Sequence, residues 1–280
     1  MHSIEKESLK MSKILVVGMG YVGKVVHDFF KDHYEVVGYD PYIPEFKNKP
    51  SDHFDLAVVS VPTQPNDDGT CDTSIVEEAL AWIDAEVILI RSTIPPGTTD
   101  LLKKKTGKRI VFSPEYAGEG KYWSPYPFDR DEKNVPFYIF GGDKKDCEFI
   151  IDLYVPVAGP KKKYRVTDAR TAEVVKYMEN TYFAWKTMFA AEMKEICDAS
   201  NVPYWEVRDL WALDPRVDEM HTAVFPNNFG FGGKCLPKDT LAMLRWSKAN
   251  GYEPEILKAL INKNMKYRKD TNDYPKDLKL

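Results

Sequence analysis

Cysteine is scarce and scattered in this chain. Only Cys71, Cys147, Cys197 and Cys235 occur in 280 residues, with no CxxC pair and no Cys/His ligand spacing. That argues against a disulfide framework and against a zinc site. A charge imbalance is missing as well. The 39 basic and 43 acidic residues are mixed along the chain and leave a net charge of −4, which gives no electrostatic footprint for nucleic acid or an anionic membrane. No apolar run approaches the ~20 residues of a membrane helix, and the opening "MHSIEKESLKMSK" is too polar for a signal peptide. The lysine runs at 103–105 and 161–163 are short and read as solvated surface. These absences point to a reduced, cytoplasmic enzyme or binding protein. Its length allows two domains, each burying its own core.

What is present begins with "KILVVGMGYVGKVVHDFF", an apolar run broken at glycines and followed by helical spacing at Val22, Val25, Val26 and Phe29. That order reads as strand, tight turn, helix. The runs "YEVVGYD", "FDLAVVSVP", "EVILIRST", "RIVFSPE" and "FYIFGG" follow, mostly without polar alternation. Such strands predict a parallel sheet covered on both faces. From Asp168 to Ser200 neither glycine nor proline occurs, which predicts a long helix. Its apolar positions are too many for one stripe, so burial against a partner helix or subunit is expected. A proline- and glycine-rich region over 215–237 precedes helices expected near 238–247 and 253–268. The fold class is thus α/β, a Rossmann-type parallel sheet followed by a long-helix all-α domain. Its parts are an extended or disordered terminus (1–12), a dinucleotide-binding domain (13–165), a helical domain (166–270) and a frayed polar tail (271–280).

Gly18, Gly20 and Gly23 form GxGxxG between the first strand and its helix. The first permits the turn, the second lets pyrophosphate approach the backbone, and the third lets helix pack on strand. Asp40 lies twenty-two residues after Gly18, at the end of the next strand. A carboxylate there accepts the ribose hydroxyls of NAD and repels a 2′-phosphate. An ordinary glycine turn is the alternative.

Two further groups carry chemistry. "NNFGFGGKCLPKDT" at 227–240 sets Cys235 behind Gly232 and Gly233, where a substrate could reach a thiol; a packed core cysteine is the bland reading, and Cys197 keeps it. Lys176 and Asn180 lie four apart on one helix face, and mid-helix asparagine has poor propensity.

The ordered motifs "VGMGYVG", "VSVPTQPNDDGTCDTS", "STIPPGTT", "SPEYAGEG", "VVKYMENTYFAWK", "DPR" and "FGFGGKCLPKD" resemble the UDP-glucose/GDP-mannose dehydrogenase family. The "DPR" and "FGFGGKCLPKDT" pairing is nearest to members that oxidise UDP-glucose. The resemblance implies oxidation of a nucleotide sugar's primary alcohol to a carboxylate with two NAD. Cys235 then carries the thiohemiacetal and thioester. Lys176 and Asn180 stabilise the oxyanion, Glu115 acts as base, and Thr93 and Asp239 hold the water. Cofactor contacts are implied for Tyr21, Val22, Pro62, Thr63, Thr93 and Glu119. Substrate contacts are implied for Glu115, Glu119, Phe229, Gly232 and Arg216, the last reaching across a homodimer formed through the long helix. As residues alone, Glu115 and Glu119 also suit loop solvation, Phe225 and Phe229 suit loop anchors, and Lys238 suits either site or loop support.

Departures from the family pattern are the insertion "RDEKNVP" after Arg130, "EYAG" in the glutamate loop, and no second α/β domain after the helical one. The nucleotide-binding half is therefore expected to be missing. Two alternatives stand beside this reading: a two-electron hydroxyacid-type dehydrogenase, which needs neither Cys235 nor the Glu115 loop, and a non-catalytic NAD-binding protein.

Overall fold

The computed structural model describes residues 12–117, 131–226, 228–275, 278 and 280. The apolar runs become a seven-stranded sheet: β1 (Lys13–Val17), β2 (Glu35–Tyr39), β3 (Phe54–Val59), β4 (Ala85–Ile90), β5 (Ile110–Phe112), β6 (Phe137–Gly141) and β7 (Lys163–Thr167), in the order β2-β1-β3-β4-β5-β6-β7. Helices α1 (Tyr21–Phe30), α2 (Ser74–Trp82), α3 (Thr98–Thr106) and α4 (Lys144–Ala158) connect them. Ile14, Leu15, Leu56, Ala57, Ile88 and Leu89 are fully buried. Consecutive buried residues point to opposite faces, so both faces are covered, as the lack of polar alternation requires. Each buried aliphatic side chain contributes about 1.5–3 kcal/mol.

Register places the site-bearing loops. Val17 pairs with Tyr39 and Val59, Val59 with Ile90, and Ile90 with Phe112. The strand ends are level, so the segments after β1, β2, β3, β4 and β5 all emerge at one edge, where ligands bind in doubly wound sheets. One pairing departs from the expected parallel set: β5 meets β6 antiparallel, through Phe112 and Gly141. The lysine run 103–105 lies in the last turn of α3, where positive charge complements the helix dipole. Lys103 and Lys105 pair there with Asp143 and Glu77.

A second compact unit comprises Thr63–Thr73, Thr93–Pro96 and Glu173–Leu280. It contains most of α5 (Ala169–Ala199), with α6 (Tyr204–Trp211), α7 (Leu236–Ala249) and α8 (Glu255–Tyr267). The two short segments join it through specific bonds. Arg245 Nε donates to the Asp68 carbonyl at 2.6 Å, and the Trp246 indole donates to the Pro96 carbonyl at 2.9 Å.

Two local expectations change. A helix, α6, occupies "YWEVRDLW", where sequence gave no helix signal. The tail expected to fray is tied down where described: Tyr274, Leu278 and Leu280 pack against Leu241, Leu244, Leu257 and Ile261. Three apolar side chains at spaced positions suffice to anchor a segment that is polar on average. The expectations for residues 1–11, for Glu119 and for the insertion point at Arg130 lie outside the described residues.

Candidate functional site

In the first unit the glycine turn has the geometry that a dinucleotide needs. Gly18 has φ +86° and receives room from no other residue type: a Cβ there would lie 2.7 Å from the Ser60 carbonyl oxygen. A Cβ on Gly23 would lie 1.8 Å from the Gly18 carbonyl oxygen, so this glycine lets α1 close on β1. Gly20, the N-cap of α1, has nothing within 4 Å of its Cβ position. That open backbone at a helix N-terminus suits a pyrophosphate. Asp40 is half-buried, and its carboxylate accepts from the Met19 amide at 2.9 Å and the Tyr42 amide at 3.0 Å. These bonds aim the side chain and leave lone pairs for hydroxyl donors. Tyr21 and Val22 open α1, and Pro62 follows β3 at the same edge. The arrangement fits NAD, which Gly18, Gly20, Gly23 and Asp40 would hold.

Glu115 follows β5 and accepts from the Ala117 amide. Beside that segment, Arg91 follows β4 and forms a buried forked pair with Glu132, its two nitrogens 2.6 and 3.2 Å from the carboxylate oxygens. Burial opposes the Arg91 charge, but Glu132 outweighs it and holds the pKa above the ordinary arginine value.

In the second unit the buried stripe of α5 is unusually polar. Glu173, Lys176 and Asn180 are all buried there, although burying a charge is costly unless it is paired. Asn180 Nδ2 donates to Asp239 Oδ2 at 2.5 Å, and Lys238 pairs with the other Asp239 oxygen. Lys238 Nζ also lies 3.5 Å from Thr63 Oγ1, which in turn donates to the Thr93 carbonyl at 2.8 Å. Burial lowers the Lys238 pKa, but the adjacent Asp239 carboxylate prevails and holds it above the ordinary lysine value. Cys235 is exposed and forms the N-cap of α7, with its carbonyl accepting from the Asp239 amide at 2.9 Å. Cys235, Lys238 and Asp239 are therefore one helical turn. It is joined to Asn180 and, through Thr63, to Thr93.

Other expected residues stand apart. Arg216 has an 88% exposed side chain and pairs with Asp214 at 2.5 Å. Phe229 packs beside Ala190, Cys197 and Val224 and meets the Tyr267 ring at 5.5 Å, so it anchors its loop; Phe225 is exposed. Cys197 is buried in that same cluster. Gly232 is hemmed by side chains, its Cβ position being 2.5 Å from Arg268 Nη2, whereas Gly233 faces open space.

Sequence reading passed over Cys71 and Tyr177. Cys71 Sγ lies 3.7 Å from the Thr93 carbonyl, and burial pushes its thiol pKa up. The Tyr177 hydroxyl is buried beside that thiol without a nitrogen or oxygen partner. Burial first, then the thiol and Asp239, holds its pKa well above the ordinary tyrosine value. Nothing in "DDGTCDTS" marks Cys71, since its neighbours come from across the fold. Asn264 was also missed, although an asparagine in register with buried Leu257 and Ile261 was a visible signal. Among the described residues, no three His, Cys, Asp or Glu side chains are grouped to hold a metal, and no helix is long and apolar enough to cross a membrane.

A dinucleotide turn in one unit and a buried Lys/Asn/Asp set in the other suit a chain from an NAD-dependent dehydrogenase family. The profile of the UDP-glucose/GDP-mannose dehydrogenase family matches in two parts, its NAD binding domain over residues 44–156 and its central domain over residues 170–266. The chain belongs to that family. It is 28% identical over 235 residues to a UDP-glucose 6-dehydrogenase of Rickettsia prowazekii, covering 80% of this chain and 51% of that protein. It is 31% identical over 277 residues to a UDP-N-acetyl-D-mannosamine dehydrogenase of Methanococcus vannielii, covering 83% and 61%. A UDP-glucose dehydrogenase structure from Pyrobaculum islandicum superimposes with a TM-score of 0.78 at 26% identity, covering 93% of this chain and 69% of that one. The chain spans about half the length of the first of these curated relatives.

Proposed function

We propose that this chain oxidises the primary alcohol of a nucleotide sugar to a carboxylate, with UDP-glucose as the leading substrate. The observation that carries the reading is the turn at the head of α7, where exposed Cys235 is followed by Lys238 and Asp239, the latter fixed by Asn180. NAD, when bound, supplies the oxidant for two hydride removals. Lys176 and Asn180 offer a cation and an amide donor, which stabilise negative charge developing on the sugar oxygen. The alcohol proton passes to solvent as the first hydride leaves; the Cys235 thiolate adds to the aldehyde so formed, and the thiohemiacetal oxyanion loses the second hydride to give a thioester. Glu115 takes a proton from water, the hydroxide adds to the thioester carbonyl, and the C–S bond breaks. Acid and thiolate leave, with two NAD reduced per alcohol. Thr93 and Asp239 hold that water and its surroundings.

Homodimerisation through α5 is part of the proposal. Met178, Tyr182, Trp185 and Phe189 recur at helical spacing and are 70%, 54%, 40% and 51% exposed. Trp211 of α6 widens this face, its ring 5.8 Å from that of Phe189. So large an apolar surface marks an interaction site, and a second copy offers the matching face. Arg216 would then serve the partner's substrate.

The test is a count of NADH formed per sugar consumed, over a panel of nucleotide hexoses. Two supports the proposal; one assigns a two-electron dehydrogenase. None across the panel leaves a non-catalytic NAD-binding protein.

A further inference from the structure

The loop leading to Cys235 is fastened from behind by the turn that follows α8. The Gly233 amide donates to Asp273 Oδ1 at 2.9 Å. The other carboxylate oxygen accepts from Arg268 Nε at 2.7 Å and from the Thr271 hydroxyl at 2.6 Å. The Arg268 guanidinium also donates to Asn228 Oδ1. On the last turns of α8, buried Asn264 accepts from the Phe231 amide at 2.9 Å and donates to the Phe231 carbonyl at 2.8 Å. The Tyr274 hydroxyl lies 2.7 Å from the same Asn264 nitrogen. Residues 228, 231 and 233 are thus each tied to this turn or to α8, and Cys235 follows two residues beyond the last tie.

The glycines of the loop match this fastening. A Cβ on Gly230 would lie 2.1 Å from Asn264 Oδ1, and one on Gly232 would lie 2.5 Å from Arg268 Nη2 and 3.0 Å from Asp273 Oδ2. Gly233 has open space and φ +81°, a backbone with wide freedom when nothing holds it. Asp273 and Arg268 are largely buried, their side chains 11% and 16% exposed, and bonds between such charged groups are shorter and stronger than neutral ones.

We propose that Asp273, together with Arg268, is a positioning residue that holds the glycine loop so that Cys235 stays at the head of α7. The proposal rests on the reading of Cys235 as the nucleophile. Asp273 touches neither sugar nor cofactor. It acts through the Gly233 amide and the Arg268 side chain that fills the space beside Gly232.

The test compares Asp273→Ala with Asp273→Asn in the full chain. Carbamidomethylation of Cys235 by iodoacetamide is followed by peptide mass mapping, with buried Cys147 read from the same digest. Turnover with UDP-glucose gives kcat and the KM for NAD. Asp273→Ala should alkylate Cys235 several-fold faster while Cys147 stays protected. Its kcat should fall by roughly 10²-fold, the scale of a small misplacement of a reacting group, with the KM for NAD unchanged. Asp273→Asn, which keeps an oxygen for the Gly233 amide, should recover most of both. Wild-type alkylation of Cys235 in Asp273→Ala overturns the proposal. So does Cys147 reacting in step with Cys235, since that would mean general unfolding. Alkylation needs no sugar, so this arm stands even if no nucleotide sugar is turned over.

Discussion

Asn180 Nδ2 lies 2.5 Å from Asp239 Oδ2, while Lys238 occupies the other oxygen of the same buried carboxylate. The carboxylate thus links the long helix α5 to the first turn of α7, the turn that starts at Cys235. Replacing Asp239 by Ala leaves the Lys238 charge buried without its counter-ion, which costs about 3–5 kcal/mol. Urea denaturation of Asp239→Ala should show a loss of this size. The double replacement Lys238→Met, Asp239→Leu should restore stability without restoring turnover, because it removes the charges that the proposed site would use.

Asn180→Ala removes one donor while leaving the Lys238–Asp239 pair. Loss of a donor aimed at a developing oxyanion typically lowers kcat by about 10²–10³-fold. Steady-state kinetics should show that loss in kcat, with the KM for NAD little altered.

The raised Lys238 pKa fixes the sign of an alkaline effect. Burial opposes the charge, but Asp239 outweighs it, so the folded value stands above the ordinary 10.5. The folded state therefore binds this proton more tightly than the unfolded state, and its contribution is present in full below 10.5. It is lost as pH rises through the higher folded value. Between 10.5 and that value, urea midpoints should fall more steeply with pH for the wild type than for the Lys238→Met, Asp239→Leu double variant.

Cofactor binding is expected to fail by different routes at the glycine turn. Gly23→Ala places a Cβ against the Gly18 carbonyl, so α1 must shift and NADH fluorescence titration should show no saturable binding. Asp40→Asn keeps one oxygen for the Met19 or Tyr42 amide, but lacks the negative charge. Affinity for NADH should drop by roughly tenfold, and discrimination against NADPH should shrink.

The exposed face of α5 supplies a test of assembly. Trp185→Glu combined with Phe189→Glu puts two charges into the proposed interface. Light scattering should show a dimer for the wild type and a monomer for the variant, with circular dichroism unchanged.

The sheet was legible because "ILVV", "LAVV" and "VILI" are continuous apolar runs of strand length, and α5 because thirty residues pass without a breaker. Helix α6 was not, since exposed Trp205, Leu210 and Trp211 blur the stripe by which Tyr204 and Val207 pack beside Ala190 and Cys197. Cys235, Lys176 and Asn180 were visible as types at meaningful spacings. Cys71 and Asp273 were not, because each takes its meaning from partners brought by the fold: the Thr93 carbonyl and Tyr177 for one, Gly233 and Arg268 for the other. The membership of residues 63–73 in the helical unit was hidden for the same reason. It depends on bonds such as that from Arg245 to the Asp68 carbonyl.

On the proposed mechanism, Cys235 carries the sugar from the aldehyde to the thioester that water cleaves. Acid quenching during turnover with NAD and UDP-glucose, followed by peptide mass mapping, reads this directly. The Cys235 peptide should carry the sugar acyl group, released by hydroxylamine, and Cys235→Ser should yield neither adduct nor acid. Acid production at the wild-type rate by Cys235→Ser, with no adduct on the wild-type peptide, would contradict the account.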